Sequence, residues 1–177
     1  ARAATADAAG VTALHAAARL ADAPTAGRDD QIFLYASAND CNRDGLEWFL
    51  QHVWPAILRQ RPEARFRIAG MLGQWLSERA PIPNVVALPF IEDLSEEFRE
   101  AGVFVAPYRY GSGLKIKVVE ALSSGKAVVT TSFGAAWLGL QDGVQARVID
   151  DAEKMAQCLC DLMTDQAARG RLAQEAL

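Results

Sequence analysis

Val103-Phe104-Val105-Ala106, then Pro107-Tyr108-Arg109-Tyr110-Gly111-Ser112-Gly113, then Leu114-Lys115-Ile116-Lys117-Val118-Val119-Glu120-Ala121-Leu122, is the stretch that decides the fold. Four consecutive apolar residues read as a buried strand, stopped by Pro107. A glycine-rich loop follows. Leu114 to Ser124 reads as a helix, closed by Gly125 as a C-terminal cap. Ala127-Val128-Val129-Thr130 is the next strand. A strand, a loop, a helix and a second continuous apolar strand make a βαβ unit, whose parallel strands are covered on both faces.

The same texture extends outward. Ile32-Phe33-Leu34-Tyr35, Phe66-Arg67-Ile68-Ala69 and Val85-Val86-Ala87-Leu88 read as earlier strands, and Ala146-Arg147-Val148-Ile149 as a short sixth. Between them, Leu46, Phe49, Leu50, Val53, Trp54, Ile57 and Leu58 recur at helical spacing, with a kink or break expected just before Pro55. Met71, Trp75 and Leu76 mark a short helix after a loop, and Leu94 to Ala101 an acidic one. Met155, Cys158, Leu159, Leu162 and Met163 form the inner stripe of a helix from Asp151 to Thr164. Residues 165–177 continue the helical pattern. Residues 1–30, rich in Ala, Asp, Thr and Gly, allow a short helix at Val11, Leu14 and Ala18. They end in the linker-like Pro24-Thr25-Ala26-Gly27 and are expected outside the main core. The expectation is an α/β, Rossmann-like doubly wound parallel sheet of about six strands over residues 31–177.

Length and composition narrow the function. The chain has 177 residues, 51% of them hydrophobic, which suits one domain with a sizeable core. A net charge of −4 argues against whole-surface attraction to nucleic acid or anionic lipid. No apolar run approaches the ~18 residues of a membrane span. Cys41, Cys158 and Cys160 form no CxxC pair, and Cys158 and Cys160 should face different ways on their helix, which fits thiols in a reducing cytoplasm. His15 and His52 lack ligand-spaced companions, so no metal is expected. Gly125-Lys126 lacks the glycine and the Ser/Thr of a phosphate-binding P-loop, and no GxGxxG follows the first strand. Asp150-Asp151 reads as a helix cap. The chain begins at Ala1, as an excised piece of a longer protein would.

In a doubly wound sheet, ligands sit beyond the carboxyl ends of the strands. That rule selects the loops Ser37–Arg43, Gly70–Gly73, Phe90–Leu94, Tyr108–Leu114 and Thr131–Gly134. The Tyr108–Leu114 loop carries the strongest signal. Its glycines let backbone approach an anion, and the following helix start points N–H groups at it. Arg109, Lys115 and Lys117 concentrate positive charge there. A plain tight turn with solvated lysines accounts for the loop equally well. Glu120, three residues after Lys117, is either an i,i+3 ion-pair partner or a carboxylate that accepts two hydroxyl hydrogens of a ribose.

The run from Phe104 to Leu122, with Ser124-Gly125-Lys126-Ala127-Val128-Val129-Thr130-Thr131, resembles the carboxy-terminal domain of the retaining glycosyltransferases called group 1 or family 4. Asp44 to Leu50, Val53-Trp54-Pro55, Arg65 to Gly70, Val85 to Leu94, Asp142-Gly143 and Asp150-Asp151 agree with it. The resemblance implies one half of a GT-B architecture, in which this domain binds a nucleoside-diphosphate sugar. The absent amino-terminal domain would hold most of a glycan or lipid-linked acceptor. It implies that Glu120, the second glutamate of a Glu-x7-Glu motif, holds the ribose. Arg109, Gly111, Ser112, Gly113, Leu114 and Lys115 would lie along the diphosphate and sugar. Lys115 and Lys117 would neutralise the leaving diphosphate without metal or cofactor, and backbone near Phe90 and Ile91 would meet the base. Ser112 stands where the motif has its first glutamate. Asn39, Asn42 and Arg43 stand where the family has an Arg and Lys pair. The implied location is cytoplasmic, at the inner face of the membrane for the full-length protein. A sugar-nucleotide epimerase on the same plan and a non-catalytic binding domain are the alternatives. A hexosyltransferase fragment is expected to bind nucleotide without turnover.

Overall fold

The computed structural model describes residues 24 and 26–177. The expected helix at Val11, Leu14 and Ala18 lies outside the described residues. Six parallel strands form one sheet: β1 (Gln31–Tyr35), β2 (Arg65–Ala69), β3 (Val85–Ala87), β4 (Val103–Ala106), β5 (Ala127–Thr130) and β6 (Arg147–Val148). Their spatial order is β3-β2-β1-β4-β5-β6. The chain therefore moves outward from β1 in one direction, then restarts at β4 and moves outward in the other. The α/β, Rossmann-like expectation is met.

Register explains how the two faces are filled. Phe33 pairs with Arg67 on β2 and with Phe104 on β4, so their side chains share one face. There Phe33, Tyr35 and Phe104 pack with Phe98 from α4 (Ser95–Glu100), with ring centroids 5.4–6.2 Å apart. Arg67 reaches Glu97 of the same helix through two hydrogen bonds of 2.6 and 2.7 Å. Ile32 pairs with Phe66, which faces the other way, and Phe66 packs on Phe49 and Trp54. Full burial of each such side chain contributes roughly 1.5–3 kcal/mol.

The segment between β1 and β2 is continuous rather than broken. It runs from α1 (Asp40–Trp48) through a π turn (Phe49–Val53) into α2 (Trp54–Gln60). The expected kink before Pro55 takes the form of this wider turn, in which the Trp54 N–H bonds back five residues to the Phe49 carbonyl. Proline removes a backbone donor, and the wider turn absorbs that loss without ending the helix. Gly45, in α1, lies where a Cβ would stand 2.4 Å from the Pro107 carbonyl oxygen. Only a glycine lets this helix lie against the chain leaving β4.

Other boundaries shift. α3 (Gly70–Ser77) starts directly at the end of β2, with no intervening loop. α5 (Ile116–Ser123) starts two residues later than expected, because Gly113 has φ +74° and Lys115 has ψ 70°, neither helical. Thr131 caps a four-residue helix, α6 (Ser132–Ala135), where a loop was expected. The carboxy-terminal helical stretch divides into α7 (Ala152–Thr164) and α8 (Gln166–Ala176). Asp165, extended at φ −105° and ψ 90°, ends the first and caps the second through Ala168 N–H. Asp151 caps α7, as expected, and Asp150 accepts from the Ser132 N–H at 2.8 Å. Cys158 and Cys160 are both buried, because α7 is covered by α2 on one side and α8 on another. Residues just before β1 are tied into the domain: Arg28 N–H bonds the Glu100 carbonyl at 2.9 Å, and Asp29 takes the buried Arg169 at 2.5 Å. Among the described residues, no helix is long and apolar enough to cross a membrane.

Candidate functional site

β1 and β4 are neighbours whose onward connections leave in opposite directions. The loops after them therefore part, and a crevice opens at their carboxyl ends. The exit of β4 is held firmly. Thr130 Oγ1 donates to the Ala106 carbonyl at 2.7 Å, and Thr131 Oγ1 donates to the Tyr108 carbonyl. On the β1 side, Asn39 accepts from the Asn42 N–H at 2.9 Å, and Asn42 Nδ2 donates to the Ser37 carbonyl at 2.8 Å. These bonds shape the loop that opens α1.

Two hollows share the crevice. The larger, about 480 Å³, lies between the ends of β1 and β2, the Phe90–Ser95 loop and α5. Its wall includes Tyr35, Ser37, Met71, Phe90, Ile91, Phe98, Lys117 and Glu120. That volume suits a small-molecule ligand. The smaller, about 230 Å³, lies under the glycine loop and is lined by Asn39, Cys41, Asn42, Tyr108, Tyr110, Gly111, Ser112, Leu114, Lys115, Ile116 and Lys117. Gly111 has φ +129° and Gly113 φ +74°, backbone conformations that glycine adopts at no steric cost.

Lys117 lies in the wall of both hollows. Its Nζ is 3.1 Å from Glu120 Oε2 and 4.3 Å from the centre of the Tyr35 ring. The ion pair read from the i,i+3 spacing is thus present, and the same carboxylate faces the cavity. Glu120 is only 4% exposed. Burial raises its carboxyl above the ordinary carboxylate range and lowers the Lys117 ammonium. Both groups are partly stripped of water while still facing the cavity, which strengthens any hydrogen bond a ligand makes to them.

The remaining candidates divide. Lys115 folds back on its own loop, donating to the Gly113 carbonyl at 3.2 Å and standing 4.5 Å above the Phe133 ring. Arg109 turns to Asp44 at 3.4 Å and lies 5.9 Å from the Trp48 ring, and it lines neither hollow. Arg43 lies 5.5 Å from the Trp75 ring and also lines neither. Phe90, Ile91, Lys117 and Glu120 come together in the larger hollow. Gly111, Ser112, Leu114 and Lys115 come together in the smaller, and Gly113 completes that loop. The Thr131–Gly134 segment, expected as a ligand loop but folded as the start of α6, lines neither, although the Phe133 ring lies 4.5 Å from Lys115 Nζ. Sequence reading missed Tyr35 and Phe98. Tyr35 ends a strand at the ligand edge, on the same face as Phe33, and that position was its available signal.

A carboxylate that accepts ligand hydroxyls must be ionised. Burial raises the Glu120 pKa, so acidification protonates it earlier than an exposed carboxylate, and ligand affinity falls from a correspondingly higher pH. For the nucleoside diphosphate that the sequence resemblance implies as ligand, calorimetric titrations from about pH 7.5 to about pH 4.5 should show this step. Glu120→Gln should lose it, retaining only the ligand's own phosphate titration. A step of equal size in both proteins would exclude Glu120 as its origin.

The model of the family described as "Glycosyl transferases group 1" matches residues 30–165, which include every strand and the whole crevice. The chain belongs to the group 1 glycosyltransferases. Among curated relatives, it is 29% identical over 162 residues to a phosphatidyl-myo-inositol mannosyltransferase of Mycolicibacterium smegmatis, covering 86% of this chain and 42% of that one. The chain spans 31% to 42% of the length of curated relatives that it matches. The fold of this group 1 domain is similar to that of TarM from S. aureus, in a structure holding UDP, with a TM-score of 0.71 at 14% identity over 89% of this chain and 33% of that chain. It is also similar to the C-terminal domain of a group 1 glycosyltransferase from Francisella tularensis. There the TM-score is 0.60 at 17% identity, over 87% of this chain and 84% of that chain.

Proposed function

We propose that this group 1 domain is the donor-binding, carboxy-terminal half of a retaining GT-B glycosyltransferase. In this reading the larger hollow takes the nucleoside and the smaller one the diphosphate and sugar. The observation that carries the proposal is Glu120. It is a carboxylate 4% exposed that nevertheless faces a cavity of about 480 Å³, beside a lysine that reaches the glycine loop. A ribose diol donating to Glu120 satisfies both carboxylate oxygens and frees Lys117 to turn toward the diphosphate. Backbone N–H groups of the Gly111–Leu114 loop and Lys117 then stabilise the negative charge that develops on the departing diphosphate. That stabilisation belongs to the domain's own side chains and backbone and calls for no cofactor. The acceptor, a glycan or lipid-linked sugar, is supplied by the other half of the enzyme at the cytoplasmic face of the membrane. The likeness in fold to TarM, solved with UDP bound, and to the Francisella carboxy-terminal domain supports this reading.

A ligand that binds only the folded state raises stability. At about a hundredfold excess over Kd it adds about 2.7 kcal/mol, or roughly 5–10 °C in Tm for a chain of this size. A thermal-shift screen against UDP, GDP, ADP and their sugars should show that rise for at least one family of ligands. No rise with any of them would overturn the proposal.

A further inference from the structure

The base of the donor is legible in the wall of the larger hollow. Lys117 is the one basic side chain lining it among the described residues, and it stands beside Glu120 at the end next to the glycine loop. A nucleotide whose ribose meets Glu120, and whose phosphates run to the glycine loop, must extend its base the other way, toward the Phe90–Ser95 loop. There Phe90, Ile91 and Leu94 offer apolar faces, with Phe90 64% exposed. The polar side chains at that end are Glu92, Asp93 and Ser95. Asp93 Oδ1 is committed to the Ser95 N–H at 2.9 Å, where α4 begins. Glu92 makes no hydrogen bond or ion pair among the described residues.

An ionised carboxylate only accepts, through two oxygens side by side. The bases differ sharply in how they meet such a group. Guanine presents adjacent N1–H and N2–H donors, a fork that matches both oxygens. Uracil presents a single N3–H between two carbonyl oxygens, which the carboxylate repels. Adenine presents its amino group beside the acceptor N1. A wall whose unengaged side chain is a carboxylate, with no cation at that end among the described residues, favours guanine.

We infer that Glu92 reads the guanine edge of a GDP-linked donor, and that the domain selects guanine over uracil and adenine. The inference rests on the donor-site reading above and adds the base to it. A bidentate pair of this kind discriminates by about tenfold to a hundredfold. Calorimetric titration of the chain with GDP, UDP and ADP is expected to show GDP binding at least tenfold more tightly than the other two. Glu92→Gln should weaken GDP at least tenfold and erase its lead over UDP, whose affinity rises because the carboxylate no longer repels the uracil carbonyls, and the exposed position makes the fold indifferent to the change. UDP or ADP binding as tightly as GDP would overturn the base assignment alone. GDP preference surviving in Glu92→Gln would overturn the part given to Glu92. Binding of none of the three would overturn the donor-site reading, and the base assignment with it.

Discussion

Glu120→Ala is expected to weaken nucleoside-diphosphate binding by thirtyfold to several hundredfold, or about 2–4 kcal/mol, with little change in Tm. In the proposed donor site, the loss is that of two charge-assisted hydrogen bonds from the ribose, which alanine cannot accept. The sum is less than the two bonds taken singly, because removing the carboxylate also releases Lys117 from its 3.1 Å pair and leaves it available to phosphate. Stability changes little for a related reason. Burial already disfavours the Glu120 charge, so the fold gains little from it. The Lys117 side chain is 36% exposed and finds water once its partner is gone. Glu120→Gln, which keeps the volume and one acceptor oxygen, should fall between wild type and alanine. Titration calorimetry with the tightest-binding diphosphate measures all three. Equal affinities across the series would remove Glu120 from the site.

Phe104→Ala should produce the largest loss of stability, about 3–5 kcal/mol, seen as a lower urea midpoint and a fall in Tm of about 10 °C. Phe104 is fully buried in the middle of the sheet, edge-on to Phe33 and stacked on Phe98 at 5.9 Å. Alanine leaves a cavity bounded by a sheet and a helix that collapse only partly. The effect reaches the site, because Phe98 and Tyr35 border both that cavity and the larger hollow, and Tyr35 supports Lys117 at 4.3 Å. Nucleotide affinity should therefore fall along with stability. A destabilisation below about 1 kcal/mol would show that the aromatic cluster repacks around the gap.

Much of the candidate site's geometry was legible because its parts lie close together in sequence. Gly111, Gly113, Lys115, Lys117 and Glu120 fall within ten residues, and the helical spacing of the last two already placed ion and carboxylate side by side. What spacing left open was the choice between a surface ion pair and a ligand-facing carboxylate. The structure places Glu120 in both situations: paired with Lys117 and in the wall of a cavity. Arg109 shows where local reading fell short. Its charge counted toward an anion site by proximity in sequence, but the side chain turns to Asp44, sixty-five residues away in the chain. The helix start at Ile116 rather than Leu114 was hidden because loop glycines and a non-helical Lys115 leave no mark on hydrophobic periodicity.

The sequence by itself determined the strands, the parallel α/β class and the short run that gathers glycines, lysines and Glu120 into one candidate site. Those depend on periodicity and on neighbours within one turn of helix. The order β3-β2-β1-β4-β5-β6 was decided only in three dimensions. Parallel strands are joined by crossovers that any strand pairing satisfies locally, so order follows from which apolar faces bury one another. That order brings the ends of β1 and β4 together, and with them Tyr35, the Phe90–Ser95 loop and Glu120 around one cavity. A carboxylate three residues from a lysine is ordinary on any helix; being buried and yet lining a cavity shared with the ends of β1 and β2 and the Phe90–Ser95 loop is what makes this one a candidate ligand site.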